Sequence, residues 1–364
     1  MNIPEKYIGR VQVLRFIAAT AVLFAHLQHE VATRLMPQTG FRPFEAIDGG
    51  VGVDLFFVIS GFIMYHVSAR DFGAPGASRN FLTRRYLRIA PLYYAATLLV
   101  VAAALAWGEA ASSAQPDGRQ ILMSLLFIPT VDASGQVAPV LKLGWTLNFE
   151  VYFYVVFAIA LAFPRRIGLT VMAVVLASVV VAARLLPSAP VPIAFWGQPL
   201  VLEFLGGVGV ALIYRTGVTF GGRAALALIV GGLVLLIALH GLGLNPYLTR
   251  AIYHGVPALM IVLAVVLGPF GRSAGPVQRF LEAGGEASYA IYVMHPFGIR
   301  AGALLWQRLG GPEEPWLYIA TMMAIVLAGA FAVNILVERP LDKALRNWLR
   351  GTPQVRPEPL APSV

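Results

Sequence analysis

The chain has 364 residues, 58% of them apolar and 12% charged, with a mean hydropathy of +0.74; soluble domains carry about a quarter charged residues, so a soluble globular enzyme is excluded and most of the chain must lie in a bilayer. The 27 Lys and Arg against 18 Asp and Glu leave a net charge of +9, which the basic cytoplasmic loops of a membrane protein explain without nucleic acid. With no cysteine, disulfides, a thiolate nucleophile and zinc-thiolate sites are out of reach.

At about twenty residues per crossing, ten apolar segments follow in chain order, near 11–29, 50–68, 90–107, 144–163, 168–186, 192–213, 224–240, 251–270, 287–308 and 316–337. They are continuous runs rather than alternating ten-residue strands, so the fold class is an all-α, polytopic transmembrane bundle. The first run lacks a small-residue cleavage site and reads as a retained span, not a signal peptide. With both termini cytoplasmic, 18 basic residues fall inside and 7 outside, and Arg15 and Arg300 lie within spans, as the positive-inside rule requires. Letting 121–131 cross as well would reverse everything downstream and give 11 inside against 14 outside. Eleven residues are also too few to span, so this piece is expected to be interfacial or re-entrant within the long outer loop 108–143. Residues 1–341 form one transmembrane domain, and 342–364 a cytoplasmic tail whose Pro-rich end, GTPQVRPEPLAPSV, is expected to be disordered.

An ionisable group within a span is costly, and its default reading is functional. Arg15 and His26 share a stripe of the first helix with Gln12, Ala19, Val22 and His29. Eleven residues give about three turns and ~16 Å of rise, so the two face the same way at opposite depths. Asp54, near the start of the second span, and Glu150, near the start of the fourth, are expected at the depth of His26. The plain alternative is that each carboxylate pairs with an arginine. Arg84, Arg85 and Arg88 precede the third span and, with Arg15, gather four guanidiniums at one cytoplasmic mouth. Such a group suits a polyanion, because Arg grips phosphate in a bidentate and permanently charged manner; snorkelling to anionic lipid is the competing explanation. His66, His240, His254 and His295 read as packing or helix-end residues, His66 with a weak further claim on donor binding. Glu203, mid-span beside GGVG, stays unassigned. The pair His26 and His29 alone is a weak case for a metal. Phosphate-cradling GxxxxGK[ST], GxSxG and HExxH are all absent, which leaves nucleotide hydrolysis and serine or zinc hydrolase chemistry without support.

Several segments together resemble the acyltransferase 3 family of integral membrane proteins: RFIAATAVLFAH with its Arg-x10-His spacing, GVDLFFVISGFIM at 52–64, RRYLRIAPLYY at 84–94, WTLNFEVYFY at 145–154 and SYAIYVMHPF at 288–297. They occur in the family's order and cover nearly the whole chain. The resemblance implies transfer of an acyl group, often acetyl, from a cytoplasmic coenzyme A thioester to a hydroxyl or amine of a carbohydrate or glycolipid acceptor. The chain looks most like the bacterial exopolysaccharide O-acyltransferases, which implies an inner-membrane location and polysaccharide-assembly proteins as partners. The family's Arg-x10-His pair falls on Arg15 and His26, its Arg-x-x-Arg pattern on Arg85 and Arg88, and its carboxylate motif on Glu150. On this reading the arginines hold acyl-CoA, His26 is general base or acyl carrier with Glu150 or Asp54 orienting it, and no metal takes part. A transporter or flippase for a saccharide or anionic solute is the alternative, with the same charges lining an alternating-access path. Acceptor specificity is expected in the outer loops 30–49 and 108–143.

Overall fold

The computed structural model describes residues 8–44, 49–107, 115–186, 188–240, 250–270 and 275–351. Among these residues the chain is helical, with one isolated bridge between Val131 and Val137. Seven stretches are long and apolar enough to cross a bilayer: Gly9–Leu35, Val51–Ser68, Ala77–Ala106, Lys142–Leu161, Arg165–Leu185, Gly222–Leu239 and Pro315–Leu345. To within a residue at the start of the first and the ends of the third and sixth, they coincide with or include helices α1 (Ile8–Glu30), α2 (Val51–Ser68), α3 (Ala77–Trp107), α5 (Trp145–Leu161), α6 (Arg165–Leu185), α9 (Gly222–His240) and α13 (Pro315–Val333).

The other three expected spans are helical but depart from that standard for visible reasons. The segment 192–213 is split at Gly197–Pro199 into α7 (Val191–Trp196) and α8 (Leu202–Arg215). The segment 251–270 is a π-turn, Ala251–Gly255, leading into the short α10 (Val256–Leu267). Helix α12 (Ser288–Arg308) is long enough, but His295, Pro296 and Arg300 lower its hydropathy.

Three boundaries differ from expectation. Helix α3 starts at Ala77 rather than 90 and contains Pro91, because the polar stretch SRNFLTRRYLR is a good helix former that hydropathy alone does not register; its arginines therefore sit within the helix, not before it. In the long loop, α4 (Gly118–Leu125) is N-capped by Asp117, whose side chain accepts from the Gln120 amide at 2.6 Å. Its eight residues rise ~12 Å, too little to cross. Helix α11 (Pro276–Glu286) occupies what hydropathy leaves as a loop. It lies along the start of α1, with Gly284 against the Phe16 ring, Gly285 against the Gln12 backbone, and Phe280 edge-on to Phe16 at 5.8 Å. After α13 a π-turn, Asn334–Glu338, leads into α14 (Arg339–Gly351); the expected disordered end, 352–364, lies outside the described residues.

Small residues set the closest helix contact. Gly61 of α2 lies against the Phe204 carbonyl, and Gly207 of α8 against the Val58 carbonyl, so a side chain at either would occupy backbone. Phe204 then stacks between Phe57 and Phe153, at 4.6 and 4.5 Å. A separate apolar cluster joins the second half of α1 (Leu23, Leu27) and Val31 of the π-turn after it to α12 and α13 (Ile299, Tyr318, Met322).

Helices α2 and α5 begin well short of the ends of their neighbours. Gly49, leading into α2, touches Ala21 and Ala25, while α1 and its π-turn run on to Leu35. Gly144, leading into α5, touches Tyr93, while α3 runs on to Trp107. In each case the neighbour extends roughly 20 Å further.

Candidate active site

A cavity of about 250 Å³ opens between α1, α2, α3, α5 and α12. Its polar lining includes Gln12 and Arg15 of α1, Ser60 and His66 of α2, Arg85 and Arg88 of α3, Glu150 and Tyr154 of α5, and Tyr289 and Tyr292 of α12. Helical spacing accounts for each pair: Arg85 and Arg88 are three apart, Glu150 and Tyr154 four apart, so each pair shares a face. Three guanidiniums here meet a single carboxylate. Glu150 accepts from the Tyr154 hydroxyl and from Ser60 Oγ at 3.4 Å. Arg15 donates to Gln12 at 3.4 Å, and the Arg85 guanidinium lies 5.9 Å over the Phe81 ring. The excess of positive over negative side chains lining this cavity, together with apolar walls from Val53, Phe56, Ile59 and Ile63, can receive an anion joined to a slender apolar arm.

A second chamber of about 390 Å³ shares Gln12 and Arg88 with the first. It is bounded by Leu87, Pro91 and Leu92 of α3, by Glu286, and by Asn334, Glu338, Arg339 and Asp342. Arg339 pairs with Glu286 at 2.6 Å, and Asn334 donates to Glu338 at 2.8 Å. Arg88 thus faces both chambers.

The structure gathers Arg15, Arg85, Arg88 and Glu150 in one cavity. Arg84 is exposed and lines neither chamber. His26 is exposed and is not among the lining residues either. It is reached through the wall: Tyr292 lines the cavity, its ring lies 5.9 Å from that of His295, and the His295 ring lies 4.9 Å edge-on to that of His26. Tyr292 is fixed by hydrogen bonds to Thr146 (2.8 Å) and to the Leu143 carbonyl (3.0 Å).

Asp54 belongs to a different group. It is fully buried, accepts from Arg250 at 2.8 Å, and lies within hydrogen-bonding reach of Glu203. Arg250 also donates to the Gly50 carbonyl at 3.3 Å and lies 5.6 Å from the Trp145 ring. Glu203 in turn lies against Gly255, where any side chain would displace it. The two carboxylates read together from the sequence are therefore separate: Glu150 sits with the arginines of the cavity, Asp54 in a buried ion pair with Arg250.

Sequence reasoning passed over Ser60, Tyr154, Tyr292 and the second chamber, and left His295 as a packing residue. Tyr154 had a signal, its i+4 spacing from Glu150. Among the described residues no cluster of three His, Asp or Glu could hold a metal ion.

The family model described as an acyltransferase domain matches residues 8–335. The exopolysaccharide production protein ExoZ of Rhizobium meliloti (strain 1021) is 36% identical over 305 residues, covering 80% of this chain and 89% of that protein. The acyltransferase MdmB of Streptomyces mycarofaciens is 28% identical over 373 residues, 91% of each chain. No solved structure matches significantly. An apolar helical bundle with an arginine-lined cavity, matched by the family from its first described residue through the whole of α13, is an integral membrane acyltransferase, and the chain belongs to the acyltransferase 3 family.

Proposed function

We propose that the protein transfers an acyl group, acetyl in the simplest case, from cytoplasmic acyl-CoA to a hydroxyl of an extracytoplasmic or lipid-linked carbohydrate. The observation that carries this reading is the cavity in which Arg15, Arg85 and Arg88 face one carboxylate while its wall leads through Tyr292 and His295 to His26. Ten spans with both termini in the cytoplasm, in the inner membrane of a bacterium, put the arginines at the inner mouth, where acyl-CoA is found. The carbohydrate acceptor is suggested by the exopolysaccharide role in the name of ExoZ, and polysaccharide-assembly proteins are the partners it implies.

The three arginines bind the donor's phosphates, Arg88 from between the two chambers, and the apolar walls take the pantetheine arm. His26 then accepts the proton of the acceptor hydroxyl as its oxygen attacks the thioester carbonyl; the carbon–sulfur bond breaks and the same proton goes to the departing thiolate. In the two-step variant the His26 nitrogen attacks the thioester first, the carbon–sulfur bond breaks and the CoA thiolate leaves with the other ring proton; the acceptor oxygen then takes the acyl group from the acyl-imidazole and its proton returns to His26. Because Tyr292 stands between the cavity and the histidines, a side-chain movement at Tyr292 or Phe56, whose rings pack edge-on at 6.4 Å, accompanies delivery of the thioester.

Purified protein in nanodiscs should release free thiol from acetyl-CoA when an acceptor glycan is present, and His26→Ala should abolish that release. Equal turnover by His26→Ala and the wild type would remove the mechanism. Labelled acyl-CoA without acceptor separates the routes: label retained on denatured wild type but not on His26→Ala supports the two-step path.

A further inference from the structure

Helix α12 contains the dipeptide His295-Pro296. A proline has no backbone N–H, so Pro296 cannot bond the carbonyl four residues earlier, which is that of Tyr292. The His295 ring takes up that freed carbonyl: its Nδ1 lies 2.7 Å from the Tyr292 oxygen and 3.3 Å from the Ile291 oxygen. Both are pure acceptors, so Nδ1 carries the proton, and in the neutral ring Nε2 carries the lone pair. The residue is 1% exposed, and Nε2 has no hydrogen-bond partner. A buried acceptor without a donor is costly and calls for an explanation. Its ring neighbours are Tyr292, whose hydroxyl is committed to Thr146 and Leu143, and His26 at 4.9 Å.

We propose that His295 is a positioning residue for His26: a turn of the neighbouring His26 ring, 4.9 Å away, brings one of its N–H groups onto the unpartnered His295 Nε2, so that the other nitrogen of His26 is left as the lone pair directed to substrate. This inference rests on the reading of His26 as base or acyl carrier. A backbone carbonyl holds His295, His295 holds His26, and one tautomer results, which is how second partners of functional histidines act. No bond forms or breaks at His295 during turnover. When His26 takes the hydroxyl proton, His295 keeps its own proton on Nδ1 and continues to accept from the imidazolium.

The primary test uses the full-length protein labelled with ¹⁵N-histidine in proteoliposomes. Solid-state NMR should show His295, assigned by its loss in His295→Asn, as the Nδ1-protonated tautomer with Nε2 accepting a hydrogen bond from His26. In His295→Asn, which keeps the bond to the Tyr292 carbonyl but cannot reach His26, the His26 signals should change to a tautomer mixture. A wild-type His295 protonated on Nε2, or His26 signals indifferent to His295→Asn, overturns the proposal. Kinetically, His295→Asn should lower kcat on the order of 100-fold with donor KM unchanged, while His295→Gln, whose Oε1 can stand in for Nε2, should regain at least tenfold of that. Equal loss in both, or a loss confined to KM, overturns it. The spectra decide if either variant fails to fold. Intact tautomer coupling in a protein whose His26→Ala variant still turns over would overturn the proposed role of His26 while leaving the pairing in place.

Discussion

Replacing Arg250 and replacing Asp54 should destabilise the protein unequally, although they are the two halves of one ion pair. Asp54 is wholly buried, and Arg250 keeps 28% of its side chain exposed. Removing one member of such a pair costs about 3–5 kcal/mol, because the other charge is left unpaired in a low-dielectric site; the partial exposure of Arg250 places Arg250→Gln at the lower end, about 3 kcal/mol. That variant leaves Asp54 and Glu203 facing each other with no cation between them. Asp54→Asn leaves Glu203 free to take over Arg250, so the loss should be only about 1–2 kcal/mol, the size of one exchanged hydrogen bond. In the double variant the costs should fall short of their sum by about 1–3 kcal/mol. Equilibrium unfolding in mixed micelles, with intrinsic tryptophan fluorescence as the signal, measures all three. Additive losses, or an Arg250→Gln protein as stable as wild type, would refute the reasoning and return Asp54 to consideration as a group acting on substrate.

Arg88→Ala should weaken CoA binding by about tenfold or more, the value of a charge-assisted hydrogen bond to phosphate, with kcat changed little; titration calorimetry with CoA reads it, and an unchanged Kd excludes Arg88 from the donor site. Glu150→Gln removes the one carboxylate that lines the cavity with the three arginines, so CoA affinity at low salt should hold or rise while the fold loses stability, and a Kd more than about threefold weaker contradicts the assigned charge balance. Gly61→Leu drives a side chain into the Phe204 carbonyl and should cost at least about 1–3 kcal/mol; a monodisperse protein of wild-type thermal stability would show that α2 and α8 can separate without penalty.

What the sequence made legible was whatever local spacing or hydropathy controls. Arg85 with Arg88 and Glu150 with Tyr154 share faces because three or four residues return a helix to the same side. The apolar runs located the helices to within a few residues, except where polar residues formed helix, as at 77–89 and 276–286. Pairings across the chain were beyond it. The partner of Asp54 lies 196 residues away, and no periodicity connects them; a shared depth for Asp54, Glu150 and His26 followed from topology alone, which cannot say on which side of α2 each one falls. The turn of the His295 ring back onto the Tyr292 carbonyl that Pro296 releases is set by the side-chain rotamer, which a His-Pro dipeptide does not fix.

The distance between the guanidinium cavity and His26 has an electrical consequence. Each elementary charge carried across a bilayer does work of about 2.3 kcal/mol per 100 mV. If the phosphates stay gripped at Arg15, Arg85 and Arg88 while only the uncharged arm and its acyl cargo travel outward, no net charge crosses the field. Turnover in sealed vesicles should then be the same whether the interior is held positive, negative or at zero potential, and acylation of an exported glycan would proceed in an energised or a depolarised cell alike.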